Sequence, residues 1–426
     1  MKSSKKDGDR PARKTFEMLF RALSVAALAA ALCVPAASAG ARSRTTPASL
    51  DRRLAATLRI PGVISSSSTA YVVELPSGRV VFAHNGAASL EPASNEKLGV
   101  TFAALEELGA SYRFPTSVLG EGRRVGSTWE GQLVLRGSGD PSLTSYGLRR
   151  LVNILWREGI RHVTGRIVGD ASVFDSDRVA PGWLASFAGT ESPPLSGLVV
   201  DRAARNDRLV ANPALAAAAT FDRMLRARGI VARGAITGKA SPGAPTLATI
   251  YSDPLSQILE FMDHYSDNFT AEMVLKALGA HAFGLGTTGA GASVVRRDLA
   301  AAGVPLAGVR IVDGSGLSRE DRATGQELTS ILVHIWNNPA MRTVVWNALP
   351  VAGQIGTLEY RLPENPNRGL LRGKTGTTDL ASALSGYIGE HYAFVTIENG
   401  TPVDYNAAHQ AEDGVAEALI SQVATA

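Results

Sequence analysis

The chain has 426 residues, 45% of them hydrophobic and 19% charged, with a single cysteine. This is a globular composition with room for two or so domains, too apolar for a disordered chain and too poor in cysteine for a disulfide scaffold. The formal charge of +4 gives no case for a nucleic-acid partner: residues 1–39 hold seven Lys and Arg against three acidic residues, and the rest carries 36 of each sign.

Residues 1–39 read as an export signal. A basic segment ends at Arg21, an apolar stretch of thirteen residues runs from Ala22 to Val34, and Ala37-Ser38-Ala39 offers a small-x-small cleavage site. Thirteen residues rise about 20 Å as a helix, short of a ~30 Å hydrocarbon core, which favours a cleaved leader over an anchor. Cleavage after Ala39 removes Cys33 and leaves no thiol, which excludes a cysteine nucleophile, a Cys-ligated metal and disulfides. No later stretch is long and apolar enough to span a membrane. The mature protein is expected to be exported and to work outside the cytoplasmic membrane, periplasmic or extracellular.

Residues 40–50 read as a flexible lead-in. Alternation over Thr69–Leu75, a turn at Pro76-Ser77-Gly78 and a return through Phe82 predict a hairpin. Ser94 opens a helix pattern to about Leu108. From about Trp129 to Pro245 the pattern changes to short valine-rich strands (132–135, 165–168, 195–200) and two helices (148–158, 213–228). Helices follow at 255–264, 270–278, 291–302 and 325–336, then strands at 370–374, 382–388 and 392–398 and a closing helix at 406–423. The expected divisions are a leader (1–39), a first part of a main domain (40–125), an inserted smaller α/β domain (126–248) and the second part of the main domain (249–426).

Three motifs stand in order: Ser94-Asn95-Glu96-Lys97, Ser266-Asp267-Asn268 and Lys374-Thr375-Gly376. A spacing of three puts the Ser94 hydroxyl and the Lys97 amine on one helical face. A serine needs a base beside it to act as a nucleophile, and a desolvated lysine near other positive charge can be that base. At a first helical turn the Ser94 N–H is free to meet a developing oxyanion. Each motif alone is weak, but each falls in the setting its chemistry needs: a helix start, an interhelical loop and a strand. The trio is that of penicillin-binding proteins and serine β-lactamases.

With these motifs, Leu90–Leu98, Gly137-Ser138-Gly139-Asp140-Pro141-Ser142-Leu143-Thr144, Tyr265–Met273 and Val312–Arg319 make the chain resemble the D-Ala-D-Ala carboxypeptidase/endopeptidase family, the class C low-molecular-mass penicillin-binding proteins. The resemblance runs from roughly Ala70 to Ala416. It implies an α/β (α+β) fold with a β-lactamase/transpeptidase-like domain, antiparallel sheet and helices, plus the inserted domain. It implies Ser94 as acylated nucleophile and Lys97 as general base. Ser266 would relay a proton to the leaving group, Asn268 would hold the substrate amide, and Lys374 would help lower the pKa of Lys97. Thr375, Gly376 and Thr377 would line the substrate site, Thr375 reading the terminal carboxylate, and the N–H groups of Ser94 and Thr377 would form the oxyanion hole. Asp140 and Asp313 would organise turns. Expected partners are peptidoglycan stem peptides ending in D-Ala-D-Ala, with β-lactams as covalent inhibitors; no metal or other cofactor is called for.

Two features depart from the family. The stretch between the first two motifs is shorter than in three-domain members, and the missing part falls between Val200 and Asn212. Lys374-Thr375-Gly376-Thr377 continues as Thr378-Asp379-Leu380-Ala381, where the family usually has leucine and then glycine. The rival readings are a serine β-lactamase on the same scaffold and a catalytically idle wall-binding protein. No Glu-x-x-Leu-Asn segment supports the first, and Lys97 behind Ser94 argues against the second. Gly284-Leu285-Gly286-Thr287-Thr288-Gly289 matches a dinucleotide fingerprint but follows a helix pattern, so a helix-helix connection is expected. The seven histidines are scattered, with no metal-binding spacing, and Trp183 reads as packing.

Overall fold

A computed structural model describes residues 47–205, 208–364 and 368–424. The expected leader, with Cys33 and its cleavage site, lies outside the described residues.

Two sheets organise the chain. The first is antiparallel, with strands in the order Leu371–Thr378, Ala381–Ile388, Tyr392–Asn399, Ser68–Glu74 and Arg79–His84. The predicted C-terminal strands and the N-terminal hairpin are therefore neighbours, Ser68–Glu74 pairing with Tyr392–Asn399 along its whole length. Strand Leu371–Thr378 is an edge, and its free side faces the turn that carries Ser94. The closing helix Tyr405–Val423 covers one face through Val415, Leu419 and Ile420.

Helices cover the other face. Helix Leu255–His264 buries Leu255, Ile258, Leu259 and Met262, the i, i+3, i+4, i+7 stripe its sequence shows. Helix Lys97–Glu107 is buried from Lys97 to Leu105, with apolar residues and glycine at all but Lys97 and Thr101 of these positions. Helices Asn268–Phe283 and Thr288–Ala301 lie close enough that a Cβ on Gly291 would meet the Leu275 carbonyl oxygen at 2.0 Å. The glycine-rich run 284–289 is their connection, with Gly284 capping the first helix at φ +69°.

The second sheet is mixed, in the order Thr246–Tyr251, Pro115–Val125, Thr128–Arg136, Ile167–Asp170 and Ala235–Thr237, with His162–Val163 beside the start of the third. Parallel neighbours need a crossover, and helices Ser145–Arg157 and Pro213–Ala227 supply it. This sheet begins at Pro115, ahead of the division expected at 126, because Pro115–Val125 pairs with Thr128–Arg136 as one hairpin. Strand 195–200 does not form. That extended segment is apolar because Leu195 and Val199 pack into the core of the first region and Leu198 into the core of the second. Helix Pro47–Thr57 replaces the end of the expected lead-in, and helix Pro339–Ala348, opened by the Asn338 cap, was not predicted.

Candidate active site

Ser94 lies in a 3-10 turn, Ala93–Glu96, that runs straight into helix Lys97–Glu107. The serine is thus placed one tight turn before the α-helix instead of opening it. Ala93 holds a left-handed conformation, φ 46°, which costs a residue with a Cβ about 1 kcal/mol or more. Two glycines accommodate the strained turn. A Cβ on Gly316, itself at φ +80°, would sit 1.8 Å from the Ala93 carbonyl oxygen, and one on Gly376 would lie 2.9 Å from the Ser94 nitrogen. Gly376 is therefore the position where the edge strand comes close to the serine.

Lys97 is fully buried, and its Nζ meets three oxygens: Ser94 Oγ at 2.8 Å, Asn268 Oδ1 at 2.9 Å and the Ser315 carbonyl at 2.6 Å. The Ser94 hydroxyl also reaches the Ser315 carbonyl, at 3.2 Å. Burial pushes the Lys97 amine down to about 8, against Asp313, Asp267, Glu272 and Asp263, which pull it up. The leading cause of the shift is thus burial, where the family resemblance stressed Lys374.

Lys374, on the edge strand, is also fully buried; it donates to Ser266 Oγ at 2.8 Å and to the Thr375 carbonyl at 2.7 Å. Burial and the charge of Lys97 hold its amine well below the usual lysine range, with Asp263 opposing. Asp263 is itself raised to about 6 by burial, although both lysines pull it down, and accepts from Thr101 at 2.9 Å. Thr375 Oγ1 donates to Thr357 Oγ1 at 2.7 Å. Beside that pair opens a groove of about 410 Å³ lined by Tyr265, Gln354, Ile355, Gly356, Thr357 and Glu359.

Ser266-Asp267-Asn268 forms the corner between helices Leu255–His264 and Asn268–Phe283, with Ser266 at φ 54° and Asp267 capping the second helix through Thr270 N–H. The structure brings Ser94, Lys97 and Asn268 into one hydrogen-bonded group, and Lys374, Ser266 and Thr375 into the next.

Several contributors were missed in the sequence. A segment that follows strand Ile167–Asp170 of the second sheet, residues 171–205, reaches across to this corner. There Arg202 grips Asp267 with two hydrogen bonds, at 3.1 and 2.7 Å, and the Glu191 carbonyl accepts from Asn268 Nδ2 at 3.2 Å. Trp183 Nε1 donates to Asp313 Oδ2 at 2.7 Å. Nothing in the local sequence marks Arg202 or Glu191, because their partners lie 65 and 77 positions away. Asp140 and Asp313 do organise turns: Asp140 accepts from Ser142 N–H at 2.8 Å, and Asp313 from Gly316 and Ser318 N–H at 2.7 and 2.9 Å. Asp379, in the departing segment, pairs with Arg319 at 3.3 Å on the exposed rim. Among the described residues no group of three or more His, Cys, Asp or Glu side chains is arranged to hold a metal ion.

A serine beside a buried lysine, a Ser-x-Asn corner and a Lys-Thr-Gly edge strand on one antiparallel sheet are the combination found in penicillin-binding proteins and serine β-lactamases. Within that class, the chain belongs to the D-Ala-D-Ala carboxypeptidase 3 (S13) family, whose model matches residues 50–206 and 204–422. It is 30% identical to a D-alanyl-D-alanine carboxypeptidase of Actinomadura sp. (strain R39), over 81% of this chain and 80% of that protein. It is 29% identical to carboxypeptidase DacB of Mycolicibacterium smegmatis, over 78% of this chain and 76% of the other. The fold matches penicillin-binding protein 4 from Haemophilus influenzae with a TM-score of 0.77 at 22% identity, covering 86% of this chain and 99% of that one.

Proposed function

We propose that this chain is a serine-type D-Ala-D-Ala carboxypeptidase and/or D,D-endopeptidase that acts on peptidoglycan stem peptides and is acylated by β-lactams. The observation that carries the reading is the 2.8 Å contact between Ser94 Oγ and a buried Lys97 whose amine is lowered to about 8. Such an amine is partly neutral at physiological pH and can accept a proton.

Lys97 takes the hydroxyl proton as Ser94 Oγ attacks the carbonyl carbon of a D-Ala-D-X bond. The N–H groups of Ser94 and Thr377 receive the oxyanion. The C–N bond then breaks, a proton passes to the departing amine through Ser266, and an ester remains on Ser94. Water attacks the ester, the acid leaves, and the hydroxyl is restored. Asn268 holds the acyl-side amide. Lys374 and Thr375, with Gly376 allowing close approach, hold the carboxylate of the leaving residue. The groove beside Thr375 and Thr357 leaves room on that side. The mature enzyme works outside the cytoplasmic membrane, in the periplasm or extracellularly against the cell wall, and the second sheet with its helices is an inserted domain.

The test is to incubate purified protein with a fluorescent penicillin and follow the label by intact mass, beside Ser94→Ala. Stoichiometric, long-lived label that is lost in the variant is expected. Rapid release of hydrolysed drug would instead make the protein a β-lactamase, and no label in a folded protein would leave wall binding. D-Ala released from pentapeptide, against cleavage of cross-linked muropeptide, then measures the balance of the two activities.

A further inference from the structure

The base function of Lys97 depends on where its lone pair points. A neutral lysine amine has two N–H bonds and one lone pair. Two of the three oxygens around Lys97 Nζ can only accept: the Ser315 carbonyl at 2.6 Å and Asn268 Oδ1 at 2.9 Å. The orientation of the Asn268 amide is fixed from its other side, where Nδ2 donates to the Glu191 carbonyl. With both N–H bonds so used, the lone pair is left facing Ser94 Oγ at 2.8 Å. The aim of the base is therefore set by the positions of two acceptors.

One helix fixes both. Asn268 is the first residue of helix Asn268–Phe283, and Glu272 lies one turn further on, on the same face. Glu272 is fully buried, and its Oε1 accepts from the N–H groups of Gly314 and Ser315, both at 2.9 Å. Those two bonds tie the loop that carries the Ser315 carbonyl to the helix that carries Asn268. Asp313 completes the loop from within, through Gly316 N–H at 2.7 Å.

We propose that Glu272 is a positioning residue for acyl transfer: through the Gly314 and Ser315 N–H groups it holds the Ser315 carbonyl where that carbonyl aims the Lys97 lone pair at Ser94. This rests on the reading of Ser94 and Lys97 as nucleophile and base. Burial and Asp313 push the Glu272 carboxyl up to about 8, with the two backbone N–H groups opposing, so near neutral pH it works largely as an uncharged acceptor. The other ionisable groups around Lys97 and Glu272 are Glu96, Asp263, Asp267, Asp313 and Lys374.

The experiment measures penicillin acylation against pH for the unsubstituted protein and for Glu272→Gln, Glu272→Met and Glu272→Asp. Glutamine keeps the accepting oxygen, methionine keeps the volume without it, and aspartate keeps the acid but withdraws it by one methylene. Rate should rise with pH as Lys97 loses its proton near 8 and then level off. A change in charge alone moves the midpoint and is recovered on the plateau; a misaimed lone pair lowers the plateau itself. In Met and Asp the plateau acylation constant is expected to fall about 30-fold, out of the roughly 10²–10⁴ that general-base catalysis supplies, with reversible penicillin affinity unchanged. Gln is expected to restore it to within about threefold. An unsubstituted-level plateau in folded Met or Asp, or a folded Gln variant as slow as Met, overturns the proposal; should Met not fold, Asp and Gln decide it. Failure of the unsubstituted protein to acylate would instead overturn the reading beneath it.

Discussion

The two sheets of this protein treat charge differently. Around the antiparallel sheet, Lys97, Lys374, Glu96, Asp263, Glu272 and Glu327 are buried, and burial is the first cause of every shift in their pKa. The mixed sheet packs Leu133, Leu148, Leu151, Ile167, Phe221 and Leu225 into an ordinary apolar core. Its buried Asp140 and Asp170 each accept a backbone N–H two residues on, at 2.8 Å, as turn carboxylates do. Desolvating a charge is expensive, and a fold carries several such groups together where chemistry uses their altered proton affinities. The comparison teaches which sheet carries the proposed site and which carries an ordinary apolar core.

That contrast can be broken by substitution. The largest effect is expected at Lys97→Met, which should lower penicillin acylation by about 10²–10⁴ and abolish the rise in rate through pH 8, measured by stopped-flow labelling across pH. Phe221→Ala in the mixed-sheet core should act on stability instead, by about 3–5 kcal/mol in chemical denaturation, while the protein that stays folded keeps the same pH midpoint for acylation. A moved midpoint there would show that the two regions are not separable. The smallest effect is expected at the rim: the Arg319–Asp379 pair is exposed, so Asp379→Ala should change stability by less than about 1 kcal/mol.

A pH titration of stability sharpens the same contrast. Glu272 and Glu327 have folded-state pKa values raised to about 8 from an ordinary 4.5, so their contribution is present below 4.5 and is lost as pH rises through 8. Melting temperature should therefore fall between pH 5 and 8, and Glu327→Gln should flatten that slope. An unchanged slope in a folded Glu327→Gln protein would mean that the group does not stay protonated in the fold.

The helices with clean apolar stripes, such as Leu255–His264, were legible because local periodicity and tertiary burial agree there. Segment 195–200 misled because its apolar residues serve two cores at once, and no periodicity distinguishes that from a strand. The hairpin Pro115–Val125 with Thr128–Arg136 was divided because a sequence shows its pattern changing from about Trp129 but not which strand pairs with which. The contributions of Arg202, Glu191, Thr357 and Glu272 were not readable, since each depends on a partner brought near by folding; only Glu272 lies within a stretch that carries the resemblance, and nothing there marks its partners.

By itself the sequence determined the chemical inventory: a serine three residues before a lysine, a Ser-x-Asn corner and a Lys-Thr-Gly strand, because these groups must be supplied as residue types at local spacings. Only the tertiary structure decided their proton affinities and aim. Burial lowered both lysines, the edge strand came close to Ser94 at Gly376, and one helix fixed two acceptors on Lys97. Proton affinity and direction depend on distance and desolvation, and both are set by segments far apart in the chain.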